Sequence, residues 1–210
     1  MSGRVTSHPA LAYVGVGSNI HPEENVRRAL GALAQKPGVT LTGISTFYRT
    51  APIPDPTNST SLPDQGPSGL DPDFLNGVLE IRTALSSHEL LTLFAQVEES
   101  LGRERHGRRF APRTIDLDLL LFGREVAPDG LPVWEEIGPQ KYLAHSDIER
   151  RSFVAHPLLE LAPGLILPPY GAPLRAFAAS FETPGGKREI ELTAALRSRF
   201  LATLTELPLP

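Results

Sequence analysis

The chain passes twice from segments that repeat with the two-residue period of a strand to segments that repeat with the period of a helix, and this order leaves few architectures open. In residues 11–17, Leu11, Tyr13, Gly15 and Gly17 fall on one face and Ala12, Val14 and Val16 on the other. Ser18-Asn19 breaks the run. Pro22, Glu23 and Glu24 then suit a helix N-terminus, and Val26, Ala29, Leu30 and Leu33 form its apolar stripe before Pro37-Gly38. The β-branched and aromatic content from Val39 to Thr50 predicts a second strand. From Phe74 to Thr83, Leu75, Leu79 and Ile81 alternate with Asn76, Glu80 and Arg82, which predicts a third strand with one buried face. Ser86-Ser87-His88-Glu89 has capping-box spacing, and Leu90, Phe94, Val97 and Leu101 continue as a helical stripe that ends at Gly102. Ile115 to Phe122 reads as a fourth strand.

The order βαββαβ folds most economically as an α+β, ferredoxin-like core, a mainly antiparallel sheet with both helices on one face, here followed by a C-terminal extension. A length of 210 residues with 40% hydrophobic content suits one domain over 1–210, with a core at 11–168 and a tail at 169–210 to which no role is assigned. Residues 54–72 hold five prolines and two glycines and read equally well as a lid or as a passive insertion. A short helix is expected around Pro157 to Leu161. The tail from Arg175 shows a turn at Pro184-Gly185-Gly186 and an apolar, helix-like end.

Charge narrows the chemistry. A formal net charge of -4 gives no general attraction to nucleic acid or to a membrane surface. With no cysteine, any metal falls to oxygen or imidazole ligands, and magnesium comes first. No apolar run approaches the roughly 18 residues of a membrane span, so a cytoplasmic protein is expected, and a monomer is its expected state.

Asp116 and Asp118, two positions apart on the fourth strand, project from one face with Cα atoms roughly 6 to 7 Å apart. Alone, such a pair also suits a solvated strand face. Arg103, Arg105, Arg108, Arg109 and Arg113, however, run directly into that strand. Guanidinium groups bind phosphate oxygens bidentately, and a carboxylate pair holds hard cations that bridge phosphates, so the combination points to a polyphosphate substrate. Gly15-Val16-Gly17-Ser18-Asn19 lacks the third glycine of a dinucleotide turn, and no P-loop motif occurs. The two glycines read as a close approach of the first strand to a neighbour or ligand.

Five pieces of the chain resemble the hydroxymethyl-dihydropterin pyrophosphokinases of folate synthesis: A-Y-V-G-V-G-S-N from Ala12, S-T-F-Y-R-T-A-P-I from Ser45, D-F-L-N-G-V from Asp73, the run from Gly102 through R-T-I-D-L-D-L-L-L-F-G, and H-P-L-L-E-L-A-P from His156. The resemblance implies a ferredoxin-like fold and transfer of pyrophosphate from ATP to the 6-hydroxymethyl oxygen of a dihydropterin, with release of AMP. It further implies two Mg2+ ions on Asp116 and Asp118, and a pyrophosphoryl group stabilised by Arg103 and Arg113. Glu98, Arg105, Arg109, Leu119, His145 and Arg151 would surround ATP. Phe74 and Phe153 would sandwich the pterin, with Asn76 and the backbone near Thr50 and Ile53 reading its polar edge. The chain departs from the family pattern at Ala51, Phe110, Ala144 and Ser146, and its 54–72 loop is longer than in compact members. Two other classes share the fold: an RNA-binding module, whose basic-glycine-aromatic strand signature is absent, and a regulatory ligand-binding domain, which would need no aspartate pair.

Overall fold

A computed structural model describes residues 9–52, 72–103, 112–125, 132–137, 144–168, 170–181 and 187–205. The first part of the chain builds β1 (Ala10–Ser18), α1 (Pro22–Ala34), β2 (Val39–Ile44), β3 (Tyr48–Thr50), β4 (Phe74–Thr83), α2 (Ser87–Ser100) and β5 (Asp116–Glu125). The sheet runs β5-β1-β4, and β2 and β3 both pair with β4, all antiparallel. This is the expected ferredoxin-like order with its second strand divided in two. Ser45 explains the division. Its N–H donates to the Val78 carbonyl at 3.0 Å while its hydroxyl accepts from the Val78 N–H at 2.8 Å, so one residue takes both ladder positions and the chain bends away.

The helix ends follow local chemistry. His21 enters α1 with φ 42°, Pro22 takes the first turn, and Glu23 and Glu24 lie at the positive end of the helix dipole. At α2 the Ser86 hydroxyl accepts from the Glu89 N–H at 3.3 Å and the Glu89 carboxylate accepts from the Ser86 N–H at 2.8 Å, completing the capping box. Gly102, at φ 76°, closes the helix in the left-handed conformation that only glycine adopts without strain.

The remaining elements are β6 (Pro132–Trp134) on the free edge of β5, a 3-10 turn at Ser146–Ile148, α3 (Ser152–Leu161), a small ribbon of β7 (Ile166–Leu167) and β8 (Ala172–Pro173), α4 (Leu174–Ala179), β9 (Lys187–Arg188) on the edge of β3, and α5 (Ile190–Thr205). They create a second core. On one face Val14, Val16, Leu79, Ile81 and Leu117 pack with Val26, Leu33, Phe94 and Val97 of α1 and α2, and Leu192 and Leu196 of α5 join them. On the other, Tyr13, Val78, Leu120 and Leu121 pack beneath Val154 and Leu158 of α3, with Leu165 and Leu174.

This second layer corrects the expectation that β4 has one buried face. Residues 75–79 are buried without interruption, because α3 covers the side opposite the helices. It also explains the Leu119-Leu120-Leu121 run. Tyr13 pairs with Leu121 and Val14 with Leu119, so Leu120 is the extra residue of a bulge that lets both Leu120 and Leu121 fill the second core. No helix among the described residues is long and apolar enough to cross a membrane.

Candidate active site

Where β1, β4 and β5 run side by side at one end of the sheet, the period of two places Asp116 and Asp118 on the face away from α1 and α2. Their cross-strand neighbours are Gly17 and Gly15, so no side chain of β1 stands beside either carboxylate. A cleft of about 180 Å³ opens over them. Its charged end is formed by Arg113, Asp116, Asp118, Asp147 and Arg151, and its other end by Thr50, Pro52, Phe74, Asn76 and Phe153.

The two aspartates differ in surroundings. Asp116 is buried, and Arg103 and Arg113 each donate to one of its carboxylate oxygens. Arg103 also donates to Glu98 on α2. The same Glu98 carboxylate accepts from the Leu117 N–H at 2.9 Å, tying α2 to the strand between the two aspartates. Asp118 has no such partner among the described residues. Burial, and then the negative charge of Asp116, push its pKa up from 3.8 to about 6, against the lowering influence of His145 and Arg113. A half-buried carboxylate that no ion pair takes up, beside a second carboxylate, is a donor set that fits a hard divalent cation. Among the described residues no group of three or more acidic or imidazole side chains is placed to hold a metal ion together.

Arg113 is held from behind by the residues that end β1. The Asn19 carboxamide oxygen accepts from the Arg113 N–H at 2.6 Å, the Asn19 and Ile20 N–H groups donate to the Arg113 carbonyl, and the Ser18 hydroxyl donates to the Thr114 carbonyl at 2.6 Å. Asn19 also donates to the Pro72 carbonyl at 3.3 Å, joining the charged strand to the approach to β4. Ser18 and Asn19 were legible only as the end of a strand. Their signal was two short polar residues after the glycines, whose partners lie 94 and 96 residues away.

At the other end the Asn76 amide donates to the Thr50 hydroxyl at 2.8 Å, and its carboxamide oxygen lies over Gly17, where a Cβ would come within 3.0 Å of it. Phe74 and Phe153 are half-buried on the cleft walls.

Of the residues singled out from sequence, Arg113, Asp116, Asp118, Arg151, Thr50, Phe74, Asn76 and Phe153 line this one cleft. Arg103 and Glu98 stand behind Asp116. At 2% exposure the Leu119 side chain packs in the core beneath α1 and α2, because it has the parity of Leu117 and not of the aspartates, so it would meet a nucleotide through its backbone. His145 does not line the cleft either. Its Nδ1 accepts from the Asp147 N–H at 3.2 Å and so caps the 3-10 turn. Asp147, which the sequence reading did not single out, faces the cleft and pairs with Arg151 at 3.8 Å. Ile53, Arg105, Arg109 and most of the 54–72 loop lie outside the described residues.

A ferredoxin-like sheet bearing a carboxylate pair under arginines, continuous with a flat-walled cleft, has the architecture of an enzyme that transfers a phosphate-containing group to a small acceptor. Comparison with known proteins makes the class specific. The family model described as 7,8-dihydro-6-hydroxymethylpterin-pyrophosphokinase matches residues 13–163, and the chain belongs to that family. Among similar proteins, three named 2-amino-4-hydroxy-6-hydroxymethyldihydropteridine pyrophosphokinase show the extent of the match. The Haemophilus influenzae protein is 35% identical over 158 residues, 75% of this chain and 84% of the relative. That of Bacillus subtilis is 38% identical over 152 residues, 72% and 77% of the two chains. That of Methylorubrum extorquens is 34% identical over 180 residues, 84% and 97%.

Proposed function

We propose that this cleft is where the chain carries out the reaction of its family, the transfer of pyrophosphate from ATP to the hydroxymethyl oxygen of 6-hydroxymethyl-7,8-dihydropterin in folate biosynthesis, with release of AMP. The observation that carries the assignment is the continuity of the cleft. A metal-competent carboxylate pair and an aromatic, amide-bearing wall open into the same space, which is what a reaction between a triphosphate and a flat heterocycle requires.

Two Mg2+ ions would be held by Asp116 and Asp118, supplying charge neutralisation to the triphosphate and holding it in line with the acceptor. The chain's own residues do the rest. Arg113, braced by Asn19, presents its guanidinium to the cleft from a fixed backbone and stabilises charge on the transferred group; Arg103 orients Asp116 and joins Arg113 in that role. Arg151, with Glu98, Arg105, Arg109, His145 and the Leu119 backbone, would form the nucleotide side. Phe74 and Phe153 stack on the two faces of the pterin, and Asn76, oriented by Thr50, reads its polar edge beside the backbone near Ile53.

The tail belongs to the same domain in this reading, since β9 joins the main sheet and α5 enters its core. An RNA-binding module is disfavoured because α3 covers the sheet face that such readers leave open. AMP formation from ATP and Mg2+, with and without the hydroxymethyl pterin, tests the proposal. Pterin-dependent AMP is the expected result, and its absence with folded protein refutes the reading.

A further inference from the structure

The segment after α4 lies beyond the family match, yet it supplies the hydrogen bonds that hold the bend between β2 and β3. Beyond the Ile44–Leu79 pair and the Ser45 bonds to Val78 the chain leaves the ladder, and buried peptide groups at such a departure need other partners. Three of them find partners in the tail. Arg197 donates to the Ile44 carbonyl through both Nε and Nη2, at 2.8 and 2.6 Å. The Thr193 hydroxyl accepts from the Phe47 N–H at 3.1 Å, and the Glu189 N–H donates to the Phe47 carbonyl at 2.9 Å. The Thr46 N–H is taken up by Glu160 of α3 at 2.7 Å. Thr193 is 2% exposed and Phe47 fully buried, so water does not readily replace these partners.

The bend leads straight to the acceptor end of the cleft. The Phe47 ring lies against Gly77, where a Cβ would come within 2.7 Å of its Cε1 atom, so ring and strand are in tight register. Gly77 lines the cleft next to Asn76, and β3 sets Tyr48 opposite Asn76 and Thr50 opposite Phe74. The outer edge of β3 is in turn clamped by β9, which pairs Tyr48 with Arg188, and by Glu189, which accepts from Arg49 at 2.9 Å.

We propose that residues 187–197 are a positioning element for the heterocyclic acceptor: Thr193 and Arg197, through Phe47 and Gly77, fix the Thr50–Asn76 pair that reads its polar edge. This rests on the functional reading above. No residue of the element is among those that line the cleft with Arg113, Asp116 and Asp118, so its loss acts on acceptor binding and not on phosphoryl chemistry.

The test uses the full chain carrying Thr193→Val or Arg197→Met, with steady-state kinetics at saturating co-substrate. A buried peptide group that loses its partner no longer holds the bend in place, so KM for the pterin rises roughly tenfold while KM for ATP and kcat stay within about twofold. Thr193→Ser, which keeps the hydroxyl, restores the wild-type KM. Amide exchange followed by mass spectrometry speeds up over residues 44–50 in both variants and is unchanged over 116–122. An unaltered pterin KM, a parallel loss for both substrates, or exchange that rises equally in both segments overturns the proposal. Should the variants be too unstable to assay, Arg197→Lys with the same exchange comparison decides it. If wild-type protein yields no pterin-dependent AMP, the functional reading fails, whereas the exchange pattern still reports on the positioning element.

Discussion

At the charged end of the cleft, Arg103, Arg113, Asp116 and Asp118 come from one short stretch of chain in which the two arginines hold Asp116 by ion pairs, with Glu98 and Asn19 as braces. At the acceptor end, Thr50, Phe74, Asn76 and Phe153 come from β3, β4 and α3 and stand where they do because of packing, an edge strand and the distant α5. The first end is set by local sequence and strong short-range electrostatics. The second is set by many contacts between residues far apart. A substitution at the charged end should therefore strike turnover, and one at the acceptor end should strike affinity.

The largest effect is expected from Asp118→Ala. Loss of a metal ligand removes several kcal/mol of charge stabilisation, which lowers AMP release roughly a thousandfold or more, with circular dichroism unchanged. Near-wild-type turnover in a folded variant would break the comparison at its charged end. Arg113→Ala is next: kcat falls roughly a hundredfold and the pterin KM moves little, because the guanidinium acts on charge that develops during transfer. A variant with normal kcat and weakened pterin binding would reverse the assignment of the two ends.

Asn76→Ala sharpens the other end. Leaving the pterin edge and the Thr50 hydroxyl without their amide partner costs about 1–3 kcal/mol, so the pterin KM rises roughly twentyfold while the KM for ATP is unaffected.

The smallest effect comes from pH. Because the Asp118 pKa of about 6 lies above its ordinary 3.8, the folded state holds that proton more tightly than the unfolded chain does. Metal-free protein accordingly loses stability as pH rises from about 4 through 6, and Asp118→Asn flattens that slope in thermal melts. Mg2+ must displace the proton, so calorimetric affinity is roughly tenfold weaker at pH 5 than at pH 7. Affinity that is flat across this window would contradict the environment assigned to Asp118.

Much of this was legible in sequence. The span of β4, the capping box at Ser86, the glycine closing α2 and the shared parity of Asp116 and Asp118 all follow from short-range periodicity and from cap chemistry. The run from Arg103 to Asp118 was readable from its residues alone, since its parts are neighbours in the chain, whereas Asp147 and the Asn19 brace, far off in sequence, were not. The acceptor end was readable only through resemblance, since Phe74 and Phe153 could equally have been core. The parity of Leu119 pointed its side chain at the helices from the sequence alone, which is where it packs.

Sequence by itself thus determined that Asp116 and Asp118 share a face, the span of β4 and the two ends of α2, because these depend on the dihedral period and cap chemistry of a few consecutive residues. Tertiary structure alone decided that Ser45 would break the second strand, that Leu120 would bulge, that α3 would bury the second face of the sheet, and that α5 would bond the bend between β2 and β3. Each of these depends on a partner dozens of residues away. A peptide group or an apolar face specifies in its own sequence that it needs a partner, but not which one it will find.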